Sequence, residues 1–131
     1  MKNLVTITKK FTFEAAHSLP DSGKCSELHG HSYKLFVSLK GEVQEDGMII
    51  NFSVLNSYVD TYIIDKCDHK NLNIVAPFDK INATAENMVM YFATLLADKF
   101  KQAGFTQVHA VKVTLFETEK CSAEYEVAIG E

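Results

Sequence analysis

Arginine is missing from this 131-residue chain, and so is tryptophan. All thirteen cationic side chains are lysine, and the formal net charge is -4. Without the planar guanidinium fork that grips phosphates and base edges bidentately, nucleic acid is not an expected partner. Cysteine is sparse and odd in number, three residues with no framework spacing. Disulfides are therefore not expected, and the thiols are free to pack, bind metal or react, as in a reducing compartment. Long hydrophobic runs are absent too. The most apolar stretch, Val89 to Ala97, falls far short of the ~20 residues that cross a bilayer. Nothing near the N-terminus reads as a cationic segment leading into an apolar run, so a cytoplasmic protein without membrane partners is expected. With no linker, repeat or low-complexity tract, and with 47% hydrophobic against 23% charged residues, the chain reads as one globular domain over residues 1–131.

What is present is mostly alternation. From Leu4 to His17, Phe11, Phe13, Ala15 and His17 fall on one parity and Thr12 and Glu14 on the other, the period of a half-buried strand. Leu19 to Gly30, with Pro20, Asp21, Ser22 and Gly23, reads as a loop that contains Cys25. Tyr33, Leu35, Val37 and Leu39 then mark a second strand, with His29 and His31 on the Tyr33 parity, and Gly41 to Gly47 reads as a polar turn. Phe52, Leu55, Val59 and Ile63 recur at helical spacing. Thr84 suits an N-cap, Met88, Val89, Phe92, Leu95, Leu96 and Phe100 make a wide apolar face, and Gly104 can end that second helix left-handed. Two further strands run through Val111, Val113 and Leu115 and through Ala123, Tyr125, Val127 and Ile129. The order ββααββ predicts an α+β fold: a four-stranded antiparallel sheet with both helices on one face. Its two edges would be closed by homo-oligomerisation.

The chemistry-bearing residues gather at the strand ends. Side chains two apart on a strand point the same way, about 6.6 Å from each other, so His29 and His31 can chelate one ion or form an ordinary hydrogen-bonded pair. His17 supplies a third imidazole if the hairpin register joins the strand ends, leaving one tetrahedral position open as in catalytic zinc. Cys25 is either the fourth ligand of a closed structural site or an unligated thiol acting as base or nucleophile beside the cation. The first option makes the chain a non-catalytic zinc-binding module. Cys67 and Cys121 read as buried, unreactive cysteines. Asp68 beside His69 could orient an imidazole, although a solvated helix end has the same look. Glu117 shares the parity of Val111, Val113 and Leu115, so it is partly buried and needs a partner, such as a ligand offering two N–H donors in one plane or a lysine.

Taken in order, FEAAH, C-x-x-x-HGHSY, GMIINF, DHKNLN, TAEN and LFETEKCSAEY resemble the 6-pyruvoyltetrahydropterin synthase and 6-carboxytetrahydropterin synthase family over nearly the whole chain. The resemblance implies a tunnelling fold, in which ββααββ subunits form trimers whose sheets join into a barrel, two trimers stacking as a hexamer. It implies zinc held by His17, His29 and His31, and Cys25 as a catalytic, unligated cysteine. Asp68 and His69 would partner that cysteine from a neighbouring subunit, Glu117 would anchor the pterin, and Thr84 would lie near it. The implied substrate is 7,8-dihydroneopterin triphosphate, with no redox cofactor. The short Cys25 to His29 interval resembles the bacterial 6-carboxy branch, which serves queuosine and other deazapurine synthesis and releases acetaldehyde and triphosphate. The alternative is the 6-pyruvoyl product from the same substrate. Asn51 stands where the family often has Asp, and is expected to affect a helix cap; Cys121 receives no role.

Overall fold

The computed structural model describes residues 3–129. Strand β1 (Leu4–His17) and strand β2 (His29–Glu42) form a long antiparallel hairpin, paired from Leu4↔Glu42 to His17↔His29. Helix α1 opens as Phe52–Val59, passes through a π-helical turn at Asp60–Ile64 and closes with Asp65–Cys67. A two-residue strand, β3 (Lys70–Asn71), precedes helix α2 (Ala85–Gln102) and the closing hairpin β4 (Val108–Thr118) and β5 (Cys121–Ala128). The sheet order is β3-β1-β2-β4-β5.

This corrects the expected four-stranded antiparallel sheet. There are five strands, and β3 pairs parallel with Ala15 and Ala16 of β1, so the sheet is mixed. Two residues cannot display a period of two, so DHKNLN looked like the frayed end of a helix. Strand β2 also begins four residues before Tyr33 and runs through Gly41, which the sequence reading gave to a turn.

The alternation was a guide to the layers of β1, β2 and β4, whereas Tyr125 of β5 and Phe52 of α1, expected on apolar faces, are exposed at 42% and 49%. Phe11, Phe13, Ala15, Tyr33, Leu35, Val37, Leu39, Val111, Val113 and Leu115 are buried and share one cluster with Leu55, Val59 and Ile63 of α1 and Met88, Phe92, Leu96 and Phe100 of α2. Both helices thus cover one face. The helix ends follow local chemistry. Asn51 Oδ1 accepts from Ser53 N at 2.8 Å and Thr84 Oγ1 from Asn87 N at 3.1 Å, each satisfying an orphan first-turn amide. Gly104, at φ 79°, takes the left-handed position after α2. Among the described residues, the outer side of β5 pairs with nothing, and β1 is paired on its outer side only at Ala15 and Ala16. No helix of the described residues is long and apolar enough to cross a membrane.

Candidate active site

Antiparallel register places His17 directly opposite His29, and pleating turns His31 to the same face. The rings stack edge to face, with centroids 4.6 to 5.1 Å apart. His17 is fully buried. Its Nδ1–H donates to the Ala83 carbonyl at 2.8 Å, and His29 Nδ1–H donates to the Glu27 carbonyl at 2.8 Å. A carbonyl oxygen only accepts, so both rings carry a proton on Nδ1, and in the neutral imidazoles Nε2 presents a lone pair. Those two lone pairs lie 3.1 Å apart, a repulsive contact unless a positive charge sits between them.

The fourth member of the group is a carboxylate. Glu117 Oε1 lies 3.0 Å from His31 Nε2 and 3.7 Å from His17 Nε2. One donor atom from each of His17, His29, His31 and Glu117 falls within 4.8 Å of all the others. His31 Nε2 is buried and makes no hydrogen bond among the described residues, its proximity to Glu117 lacking the right direction. Burial, together with the neighbouring His17 and His29, holds the His31 imidazole below its ordinary pKa, against the opposing pull of Glu117. An orphaned buried nitrogen, two facing lone pairs and a carboxylate are what a divalent cation would satisfy at once. The donor set fits zinc, which takes histidine nitrogen and carboxylate oxygen in tetrahedral sites.

Glu117 reaches this position through a β-bulge. Phe116 pairs with Ser122 and Thr118 with Cys121, leaving Glu117 as the extra residue of β4. Parity suggested that its side chain would point inward, but nothing in LFETEK signals the bulge. The carbonyls of Ala83 and Glu27, which fix the tautomers, also have no side-chain signature and were invisible in the sequence.

The remaining candidates lie elsewhere. Cys25 is exposed in a 3₁₀ turn, Gly23–Ser26, tied back by Leu19 N–H to its own carbonyl at 2.7 Å. Its thiol is not part of the converging group, in which the fourth atom is a Glu117 oxygen. Cys67 is buried as expected, with its thiol pushed up to about 12 by burial. Cys121 is exposed, because β5 leaves its residues on the open edge of the sheet, which corrects the expectation that it is buried and unreactive. Thr84 acts as the N-cap of α2, immediately after the carbonyl that holds His17. Asp68 and His69 form a pair of their own, Asp68 Oδ1 to His69 Nδ1 at 3.1 Å. Asp68 is held below the usual carboxylate range, chiefly by the Glu14 backbone N–H at 2.9 Å. His69 N–H donates to the Glu14 carbonyl at 2.6 Å and the residue sits at φ 59°, which turns the exposed ring outward.

His69 opens onto a cavity of about 490 Å³ whose lining also includes Glu14, Ala15, Ala16, Gly30, His31 and Ser32. Glu14, Ala16, Gly30 and Ser32 have the parity opposite to His17 and His29, whereas Ala15 and His31 belong to the metal face. The cavity therefore spans the β1 edge and reaches His31 of the metal group of its own chain.

A family profile described as 6-pyruvoyl tetrahydropterin synthase matches residues 6–128. The 6-carboxy-5,6,7,8-tetrahydropterin synthase of Synechocystis sp. is 37% identical over 125 residues, covering 91% of each chain. The 6-pyruvoyl tetrahydrobiopterin synthase of Dictyostelium discoideum is 36% identical over 104 residues, 70% of this chain and 77% of that one. Among solved structures, the 6-pyruvoyl tetrahydropterin synthase of Caenorhabditis elegans superposes with a TM-score of 0.80 at 30% identity, covering 97% of this chain and 98% of that one.

Proposed function

The chain belongs to the 6-pyruvoyl tetrahydropterin synthase family, and from that premise we propose that it is a zinc-dependent 6-carboxy-5,6,7,8-tetrahydropterin synthase. In this reading it converts 7,8-dihydroneopterin triphosphate and one water to 6-carboxytetrahydropterin, acetaldehyde and triphosphate, on the route to queuosine and other deazapurines in the cytoplasm. The observation that carries the reading is the convergence of the His17, His29 and His31 nitrogens with Glu117. Zinc bound there would supply a Lewis acid that polarises the side-chain hydroxyls of the substrate.

The protein's own groups do the rest. The Glu117 carboxylate accepts from the planar N–H edge of the pterin, which sets the ring's orientation. Cys25 Sγ takes and returns the proton beside the polarised hydroxyl. Asp68 fixes the His69 tautomer by accepting from Nδ1–H, leaving Nε2 as the proton-carrying atom. The outward placement of Asp68 and His69 supports their serving a neighbouring subunit, in trimers that pair β1 and β5 edges and stack as a hexamer. The short interval from Cys25 to His29 favours the 6-carboxy product. The names of the Dictyostelium and nematode relatives keep the 6-pyruvoyl product as the second reading.

Mass spectrometry of the product made from dihydroneopterin triphosphate, with and without a chelator, tests reaction, branch and metal dependence together. Cys25→Ala should abolish turnover while metal content holds. Full activity in that variant would sink the role given to the thiol. Joint loss of metal and fold would point to the closed structural module.

A further inference from the structure

We propose that Glu117 is itself a metal ligand in the substrate-free protein, closing the shell through Oε1, and that a planar N–H edge entering beside it draws the carboxylate off. The first half stands on geometry alone. Four donors about 2.0–2.1 Å from one tetrahedral ion lie about 3.3 Å from each other. Three of the six separations bracket that edge, 3.1 Å for His17 to His29, 3.0 Å for His31 to Glu117 and 3.7 Å for His17 to Glu117, and all six stay within 4.8 Å. A carboxylate placed only to await an organic ligand has no reason to stand at coordination distance from two imidazole nitrogens. The bulge that projects Glu117 out of the β4 ladder fixes its backbone there.

The second half deepens the pterin synthase reading and rests on it. Glu117 also borders a cavity of about 240 Å³ lined by Ala85, Glu86, Cys121, Ser122 and Ala123. The carboxylate thus stands between the metal group and that cavity, touching both. Binding a planar pair of N–H donors bidentately occupies both of its oxygens, so it cannot close the metal shell at the same time. Filling the cavity therefore vacates the fourth coordination place, and an empty cavity keeps it shut against water and stray alcohols. One side chain would couple recognition of the ring to readiness of the metal, as a two-position switch.

The test uses the full-length protein loaded with zinc or cobalt. In chelator competition, Glu117→Gln should weaken zinc binding tenfold or more. Glu86→Gln, which changes a carboxylate of the cavity outside the metal group, should leave it unchanged. With cobalt in place, the visible absorption of the parent protein should shift when plain pterin is added, and that of Glu117→Gln should already differ and stay still. Circular dichroism and thermal unfolding of the chelated variants check that each is folded, and Glu117→Asp, which keeps the charge on a shorter stem, serves if Glu117→Gln is not. Unchanged zinc affinity and an unchanged cobalt spectrum in the folded Glu117 variant would overturn the ligand assignment. A parent spectrum that ignores pterin, in protein that turns over dihydroneopterin triphosphate, would overturn the coupling. Weakened zinc binding in a protein with no pterin chemistry would uphold the ligand and sink the functional reading instead.

Discussion

Replacing Gly41 by alanine should destabilise the protein by about 2–4 kcal/mol without touching the metal group. Gly41 faces Val5 across the β1–β2 hairpin, where the register of β2 against β4 also shifts. A Cβ there would stand 2.4 Å from the Gln107 carbonyl oxygen and 2.8 Å from Ile49 Cγ2. Neither neighbour can yield easily. The Gln107 carbonyl accepts from Glu42 N–H at 2.9 Å, its side chain is bonded to the Ile49 carbonyl at 3.0 Å, and Ile49 is buried. Bringing that oxygen out from 2.4 Å to the 3.0 Å that real contacts tolerate means breaking or bending the Glu42 bond, worth about 1 kcal/mol. Overpacking of the Ile49 side adds about 1–3 kcal/mol. For a chain of this size the sum lowers the melting temperature by roughly 10 °C. Calorimetry of the chelated protein at fixed concentration reads the shift directly. A change within about 0.5 kcal/mol, the range of harmless surface substitutions, would refute the close-approach argument.

Three further outcomes follow from features already described. Thr84→Ala should cost about 1 kcal/mol in urea unfolding through loss of the α2 cap, and Thr84→Ser should restore most of it; equal stability of all three would remove Thr84 from the cap. Because the Asp68 pKa is depressed in the folded chain, its contribution is present above the ordinary value near 3.8 and fades as pH falls through the lowered one. The urea midpoint of Asp68→Asn should therefore fall less steeply than the parent's between roughly pH 5 and pH 2, and parallel profiles would contradict the Glu14 bond. At pH 8 a thiol reagent should modify Cys25 and Cys121 and spare Cys67, whose thiol burial holds near 12, until denaturant is added. Early loss of Cys67 would show that its pocket opens.

The parts of the fold that were legible in the sequence are those with a period. Phe11, Phe13, Leu35, Val37, Val111 and Val113 announced their faces because a two-sided strand must alternate. Phe92 and Leu96 did so because a helix repeats every 3.6 residues. The three histidines could be nominated together because parity aligned them and the hairpin had a natural register. Features that depend on a single backbone departure stayed hidden. Strand β3 is too short to have a rhythm, the bulge at Glu117 inserts one residue without a marker, and the left-handed turn at His69 carries neither glycine nor asparagine. The π-helical turn at Asp60–Ile64 sits silently inside an apolar stripe that reads as regular. Hydrogen-bond partners supplied by carbonyls, as at Ala83 and Glu27, leave no trace in residue type at all.

Strand β1 carries Glu14 and His17 on opposite sides of one ribbon. The amide and carbonyl of Glu14 moor Asp68 and His69, and three residues later the His17 ring enters the metal group. Deleting one residue between Phe11 and Glu14 while the rest of the hairpin keeps its place would present the imidazole to the outer surface, while the mooring, made by backbone groups, would pass to the residue that takes the place of Glu14. The outer duty accepts any residue that offers an amide and a carbonyl and the inner one accepts only an imidazole, so of the two the metal group alone dictates the phase of this ribbon.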